Sequence, residues 1–323
     1  MDKQFFKSII VCLTAVALVV LSLNLLTPVV YRTLPNDYVR TGIILDHIND
    51  EATAPEVVIL GNSRGMSGVD AELMSEITGL SAENFCSPSQ SLIESALYYD
   101  RLPKSVKLII QCIDEKEFSD KAMHMSVPAK VAFAMSNYRP GDFERSILAD
   151  DDLSELKCSR IVRNFKARSS YKTGLSNLIV RMLDDDAPSD QIKDLKYPYM
   201  YPSDHSKTYE RDLEHLKQWI PSATSSFGVS EKLSSFCSEL VHHMSDKGID
   251  LIFAIMPNCP ELGWSDEASM HFVEHVRETL GNSPVIDIFT KVPSSGFYDP
   301  LHPNREGSKI ITTELADAVT NRL

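Results

Sequence analysis

A chain of 323 residues with 43% hydrophobic side chains is long enough for one large domain or two modest ones around a buried core, so disorder is not its default state. A formal net charge of −13, with no basic run or basic-aromatic patch to track a phosphate backbone, argues against nucleic acid as a partner. Beyond Cys12 the cysteines are Cys86, Cys112, Cys158, Cys237 and Cys259, an odd set without C-x-x-C spacing. It supports neither a disulfide framework nor a zinc site, and no cofactor is implied. Cys112 and Cys237 fall within apolar patterns and read as small buried hydrophobes.

The N-terminus is the first informative stretch. Met1–Lys7 leads into an uncharged run from Ser8 to Tyr31 that is rich in Leu, Val and Ile, and about 20 such residues cross a bilayer. Residues 1–31 are therefore expected to form a transmembrane anchor. Lys3 and Lys7 before the run and Arg32 and Arg40 after it nearly balance, and translocation of everything downstream is the typical outcome. A signal peptide is the competing reading, but its apolar core spans ~7–15 residues and ends in a small-x-small site. This run is longer, and Leu23–Pro28 offers no such site, so an uncleaved anchor with the remainder outside the cytoplasm is expected. Residues 32–55 read as a polar connector, with a short helix around Val39–Ile48 that lifts the next domain from the membrane.

Residues 56–323 read as an α/β domain. Glu56-Val57-Val58-Ile59-Leu60 is a buried strand that ends abruptly in Gly61-Asn62-Ser63, a tight turn carrying a serine. Val69–Ile77 has helical spacing with Gly79 as its stop, Ser81–Phe85 is a short second strand, Ser91–Leu102 a helix, and Val106–Ile113 a third strand. The pattern resumes with a helix over Glu231–Met244, a strand over Ile249–Met256, a helix over Ala268–Leu280, a strand over Val285–Phe289 and a closing helix over Gly307–Val319. Five strands alternating with helices predict a flavodoxin-like, doubly wound parallel sheet, and its ligand crevice lies between the first and third strands, beside Ser63. Between the halves, roughly residues 118–226 form an insert longer than a crossover needs. It contains Asp150-Asp151-Asp152, Asp184-Asp185-Asp186 and Tyr197-Pro198-Tyr199-Met200-Tyr201-Pro202. Those tyrosines either pack the insert onto the core or form a stacking floor for sugar rings.

A serine needs a base to take its proton, and the base works best when a third group orients it. Phe297-Tyr298-Asp299-Pro300-Leu301-His302-Pro303-Asn304 supplies both, with His302 as base and Asp299 as its partner on one loop. Each residue has a plain structural reading too: a turn serine bonded to its own backbone, a capping aspartate before Pro300, a loop histidine satisfying carbonyls. Gly61-Asn62-Ser63-Arg64-Gly65 also fits the G-x-S-x-G elbow of α/β-hydrolases, but that elbow follows several strands and an HGGG-type loop, which do not precede Ser63 here.

Together the serine turn and the Asp-x-x-His near the C-terminus resemble the first and last sequence blocks of the SGNH (GDSL-type) hydrolase superfamily. The resemblance implies a Ser63–His302–Asp299 triad and two-step acyl transfer through Ser63. It also implies oxyanion donors from the serine N–H, from a glycine after the second strand and from an asparagine after the third. Here Ser89 lies near the glycine's place, and its N–H can donate if the backbone conformation is open to a residue with a side chain. The asparagine's place reads Ile113-Asp114-Glu115, and an ionised carboxylate cannot donate. Arg64, next to the nucleophile, either binds an anionic substrate group or joins a structural ion pair. With an N-terminal anchor and Gly-Asn-Ser in place of Gly-Asp-Ser, the chain looks like the cell-envelope branch of the superfamily. That branch includes the alginate O-acetylation proteins and the anchored D-alanine transfer protein of teichoic acid. The resemblance implies an esterase or O-acyltransferase acting on an acylated glycan, beside a multispanning membrane acyltransferase. Two alternatives stay open: a catalytically silent module that binds glycan or scaffolds a polysaccharide-modifying complex, and a secreted esterase released from a cleaved signal.

Overall fold

The computed structural model describes residues 3–33, 38–50, 54–115, 118–183, 190–218 and 230–322. Its centre is a five-stranded, all-parallel sheet of β1 (Val57–Leu60), β2 (Ala82–Asn84), β3 (Leu108–Ile113), β4 (Asp250–Ile255) and β5 (Val285–Asp287). Spatial order is β2-β1-β3-β4-β5, the flavodoxin-like order. The register follows from Val57 opposite both Ala82 and Leu108, Leu108 opposite Asp250, and Phe253 opposite Val285.

Because successive side chains on a strand point to opposite faces, the near-continuous apolar strands feed two cores at once. Val58, Leu60, Ile109, Ile113, Leu251, Phe253 and Ile255 enter one core, while Val57, Ile59, Leu108, Ile110, Ile252 and Ala254 enter the other. Helices cover both faces, and β1, β2 and β3 are buried at every position.

The helices, in chain order, begin with α1 (Lys3–Thr33), α2 (Val39–Ile48), α3 (Ser63–Gly68), α4 (Ala71–Thr78) and α5 (Leu92–Ala96). Within the insert lie α6 (Val127–Met135), α7 (Asp142–Ile147), α8 (Asp150–Leu156), α9 (Arg160–Ala167), α10 (Ser169–Leu183) and α11 (Tyr209–Lys217). The chain closes with α12 (Glu231–Asp246), α13 (Asp266–Leu280) and α14 (Arg305–Thr320). Local chemistry explains several ends: Asp70 caps α4 by accepting from the Glu72 and Leu73 N–H groups, and Gly79 closes it in the left-handed conformation.

Three expectations need correction. The segment around α2 is not a polar spacer, because Ile44, Leu45 and Ile48 enter the core and Arg40 is fully buried. The helix expected over Ser91–Leu102 stops at Ala96 and gives way to a short 3-10 turn at Tyr99–Arg101. Ser63 is not in a simple turn; it is the first residue of α3, with Asn62 as N-cap. Of the acidic clusters, Asp150-Asp151-Asp152 opens α8, where Asp152 is buried and paired to Lys130 at 2.6 Å. Asp184-Asp185-Asp186 lies outside the described residues. Cys112 and Cys237 are buried thiols, as their apolar surroundings predict.

Among the described residues α1 is the one helix long and apolar enough to cross a membrane, with mean hydropathy 2.8 over its most apolar window. Its final third rests on the domain: Thr27 and Tyr31 are buried, and Tyr31 packs with Met135 and Ala167.

Candidate active site

The carboxyl end of β1 carries the first component. Gly61 has φ of 147°, and a Cβ there would sit 2.7 Å from the Cys112 Cβ and 2.9 Å from the Cys112 carbonyl oxygen. Only glycine lets the chain pass so close over β3. Asn62 then turns extended, and its side-chain oxygen accepts from the Arg64 N–H at 2.9 Å. That cap starts α3 at Ser63 and leaves the Ser63 N–H with no acceptor inside the helix. Ser63 is partly exposed among buried neighbours.

The second component is the loop before α14, which is tied down at both ends. Phe297 bridges to Pro303, the Tyr298 N–H donates to the His302 carbonyl at 2.9 Å, and the Asn304 N–H donates to Gly296 at 2.9 Å. Asn304 is fully buried and caps α14, accepting from Glu306 and Gly307, while its amide donates to Ser203 and Ser295. Within this frame one Asp299 oxygen accepts from the Leu301 and His302 N–H groups at 2.9 Å each. The side chain is thereby aimed at its own loop's histidine.

The two components meet. His302 Nδ1 lies 2.8 and 3.0 Å from the Asp299 oxygens, and His302 Nε2 lies 2.9 Å from the Ser63 Oγ. Burial works against charge on Asp299, but the bonds and charge of His302 and the two backbone donors prevail and hold its pKa below the ordinary carboxylate value. An ionised carboxylate only accepts, so in the neutral imidazole Nδ1 carries the proton and Nε2 is left as the acceptor facing the Ser63 hydroxyl. The side chains of His302 and Asp299 are each about one-fifth exposed, 21% and 22%, so the line is partly open to solvent along its length.

Arg64 faces two carboxylates. It is buried, donates to both Glu115 oxygens at 2.7 and 2.6 Å, and places its Nε 3.3 Å from Asp114. Burial alone would lower its pKa, yet Glu115 and Asp114 push it upward. Of the two readings of Arg64, the structural ion pair is the one the contacts describe. Asp114 in turn accepts from the Asn62 amide at 2.8 Å, so the end of β3 and the serine turn are cross-linked by charge.

Ser89 stands in a turn with Pro88 at its second position, closed by the Gln90 N–H on the Ser87 carbonyl at 3.1 Å. Its φ is 52°, the left-handed value that a type II turn requires at this position and that glycine adopts most readily. The Ser87 N–H donates to the Gly61 carbonyl at 3.0 Å, which fastens this turn to the serine turn. The tyrosine run packs onto the core and onto the loop before α14. Tyr197 is buried, with its hydroxyl on the Ser67 carbonyl at 3.1 Å, whereas Tyr201 stacks on Tyr298 with centroids 4.4 Å apart and stands 5.8 Å from the His302 ring.

Sequence reasoning missed the Asn62–Asp114–Arg64–Glu115 network and the clamp made by Arg40. Arg40 donates to the carbonyls of Cys86 (2.6 Å), Ile192 (2.6 Å), Asp194 (2.8 Å) and Asn84 (2.5 Å). The first carried a signal: two carboxylates at the end of a buried strand, with an arginine at the end of its neighbour, meet in the crevice of a parallel sheet. The second carried none, because its partners are backbone carbonyls distant in sequence. Comparisons with protein-family models, curated proteins and solved structures found no match to this chain.

Proposed function

We propose that this chain is a membrane-anchored serine esterase or O-acyltransferase of the SGNH type. It holds its domain outside the cytoplasm and acts on an acylated glycan of the cell envelope or of a secreted polysaccharide, beside a multispanning membrane acyltransferase. One observation carries the chemistry: the unbroken hydrogen-bonded line from Asp299 through His302 to the Ser63 hydroxyl. The glycan and the acyltransferase rest on the resemblance of the serine turn and the Asp-x-x-His, and Tyr201 beside His302 is a wall on which a sugar ring can stack.

In this reading Nε2 takes the Ser63 proton as Oγ attacks the ester carbonyl carbon. The tetrahedral adduct collapses, His302 returns the proton to the departing alkoxide, and the acyl group rests on Ser63. Water or a sugar hydroxyl, deprotonated by the same nitrogen, then attacks the acyl carbon and frees Ser63. Asp299 holds the Nδ1–H tautomer and stabilises the imidazolium. The N–H groups of Ser63 and Ser89 are assigned to the oxyanion, where one donor is typically worth about 3–4 kcal/mol.

The test is covalent. Full-length protein in detergent micelles is treated with a fluorophosphonate, which reacts with activated serines, beside Ser63→Ala and His302→Ala, and read by intact mass. One adduct on the wild type and none on either variant is the expected result. A folded wild type that stays unlabelled overturns the enzymatic reading. It would favour the silent glycan-binding or scaffolding module, which has its own support: Asp114 fills the asparagine's place as an acceptor, and Asn62 spends its amide on it.

A further inference from the structure

Helices α9 and α10 expose apolar side chains at helical spacing. Ile161, Phe165, Leu175, Ile179 and Met182 are between 52% and 73% exposed. Positions 161 and 165 share one face of α9, and 175, 179 and 182 share one face of α10. The segment from Arg160 to Leu183 also carries Arg160, Arg163, Lys166, Arg168, Lys172 and Arg181 and no acidic residue, in a chain whose net charge is −13. The basic residues are interleaved with apolar ones, so they form no run for a sequence reading to notice.

The position of these helices decides what covers them. Counted from Ser8, where the uncharged run begins, the 20 residues that match the thickness of a bilayer core end at Thr27, one turn past Asn24. At Asn24 α1 first meets the domain: its amide donates to the Ile161 carbonyl at 3.1 Å, and the Asn164 amide donates to its carbonyl at 2.7 Å. One turn and two turns further on, Thr27 and Tyr31 are buried, and Ala167 of α9 packs on Tyr31. α9 therefore runs beside α1 from Asn24 to Tyr31, across the level where hydrocarbon gives way to headgroups.

We propose that α9 and α10 lie in the membrane interface as a second attachment, with their apolar faces in the outer acyl region and the exposed Arg168 and Lys172 on anionic phospholipid headgroups. A basic amphipathic helix binds such a surface through buried apolar area together with attraction to anionic lipid. The pair fixes the tilt and height of the domain, which a single anchor helix leaves free to swivel. This inference is independent of the chemistry assigned to Ser63.

The test uses the full chain with Cys12→Ser and Cys158→Ser, the cysteines that are not buried, and an environment-sensitive fluorophore on Leu175→Cys or, separately, on Ile179→Cys. The protein is reconstituted into vesicles of phosphatidylcholine with one-third phosphatidylglycerol, where α1 holds it to the bilayer in every sample. A quencher on the upper acyl chain is expected to dim both labels about threefold or more. Aqueous iodide should reach them several-fold less than the same label on Met270→Cys, an exposed apolar site on α13. Replacing phosphatidylglycerol by phosphatidylcholine should weaken the acyl-chain quenching about twofold or more. Iodide quenching equal to that at the Met270 site overturns the proposal. So does shielding from both quenchers, which would mean that protein covers the face, or acyl-chain quenching indifferent to lipid charge, which would remove the headgroup contact.

Discussion

Asp299 stays charged although it is largely screened from water, because two backbone N–H groups and the His302 imidazole point at it. Its pKa is lower folded than unfolded, so its contribution to stability is present above the ordinary carboxylate range and is lost as pH falls through the folded value. Replacing it tests its role in the proposed chemistry. An asparagine can turn its amide N–H toward Nδ1 and favour the tautomer with a proton on Nε2, which cannot accept from Ser63. Asp299→Asn is expected to slow fluorophosphonate labelling about 10³–10⁴-fold with little change in melting temperature, measured as a second-order rate on protein verified as folded. Gly61 is the opposite case, a residue whose importance is steric. Gly61→Ala forces a Cβ against the Cys112 backbone at a φ of 147° and is expected to destabilise the chain by more than about 2 kcal/mol, seen as a lower midpoint in urea.

At the scale of elements, α2 holds the loop that follows β2. Arg40 is its instrument, and burial pulls the guanidinium pKa down to about 10, so it remains charged at neutral pH. Its partners are four carbonyls of two separate segments, which makes it a clamp between the Ser89 turn and the Ile192–Asp194 stretch of the insert. Arg40→Met leaves those carbonyls short of a donor, each worth about 1–3 kcal/mol when unpaired, and is expected to cost about 2–4 kcal/mol and to slow Ser63 labelling, by calorimetry and by mass, respectively. α5 holds the same loop from its other side through Ser91 and Glu94, which form a capping box. Burial raises the Glu94 pKa from its ordinary 4.5 to about 7, against the bonds it accepts from Ser91 and Ser126. The folded chain thus holds this proton more tightly than the unfolded chain, so the Glu94 contribution is greatest below pH 4.5 and falls as pH rises to about 7. The change amounts to about 3 kcal/mol. Glu94→Gln is neutral at every pH, and its unfolding free energy is expected to lack that decline between pH 5 and 7 in paired urea titrations.

For the molecule as a whole, the anchor and the domain are one packed unit below Asn24. Thr27 and Tyr31 bury against the insert, and α2 follows directly and enters the sheet's core. A chain begun at Asn24 is expected to keep the stability of the full chain in detergent, whereas one begun at Val39 exposes Met135 and Ala167 and loses about 2 kcal/mol, the worth of burying one large side chain. Thermal unfolding of the two truncations in the same detergent measures the difference. In the proposed interfacial arrangement of α9 and α10, the same seam sets the height and tilt of the Ser63 crevice relative to the bilayer.

Local pattern was enough for much of this. The four buried residues of β1, the continuous apolar runs of β3 and β4 and the amphipathic helices between them specify a parallel sheet, because strands covered on both faces must be apolar at every position. The turn at Gly61-Asn62-Ser63 and the Asp299–His302 spacing were legible as well, since glycine freedom and an i, i+3 loop are local properties. Tertiary structure alone decided which polar groups pair. Arg64 could have faced a ligand or a carboxylate, and the proximity of β1 and β3 gave it Glu115 and Asp114. Arg40 sat in an apparently polar connector, and its burial depended on carbonyls contributed from far along the chain. Nothing local placed the stretch from Arg160 to Leu183 beside α1, where the Asn24 bonds to Ile161 and Asn164 hold it. Backbone carbonyls, ion-pair partners and membrane depth are set by three-dimensional proximity, which no window of sequence contains.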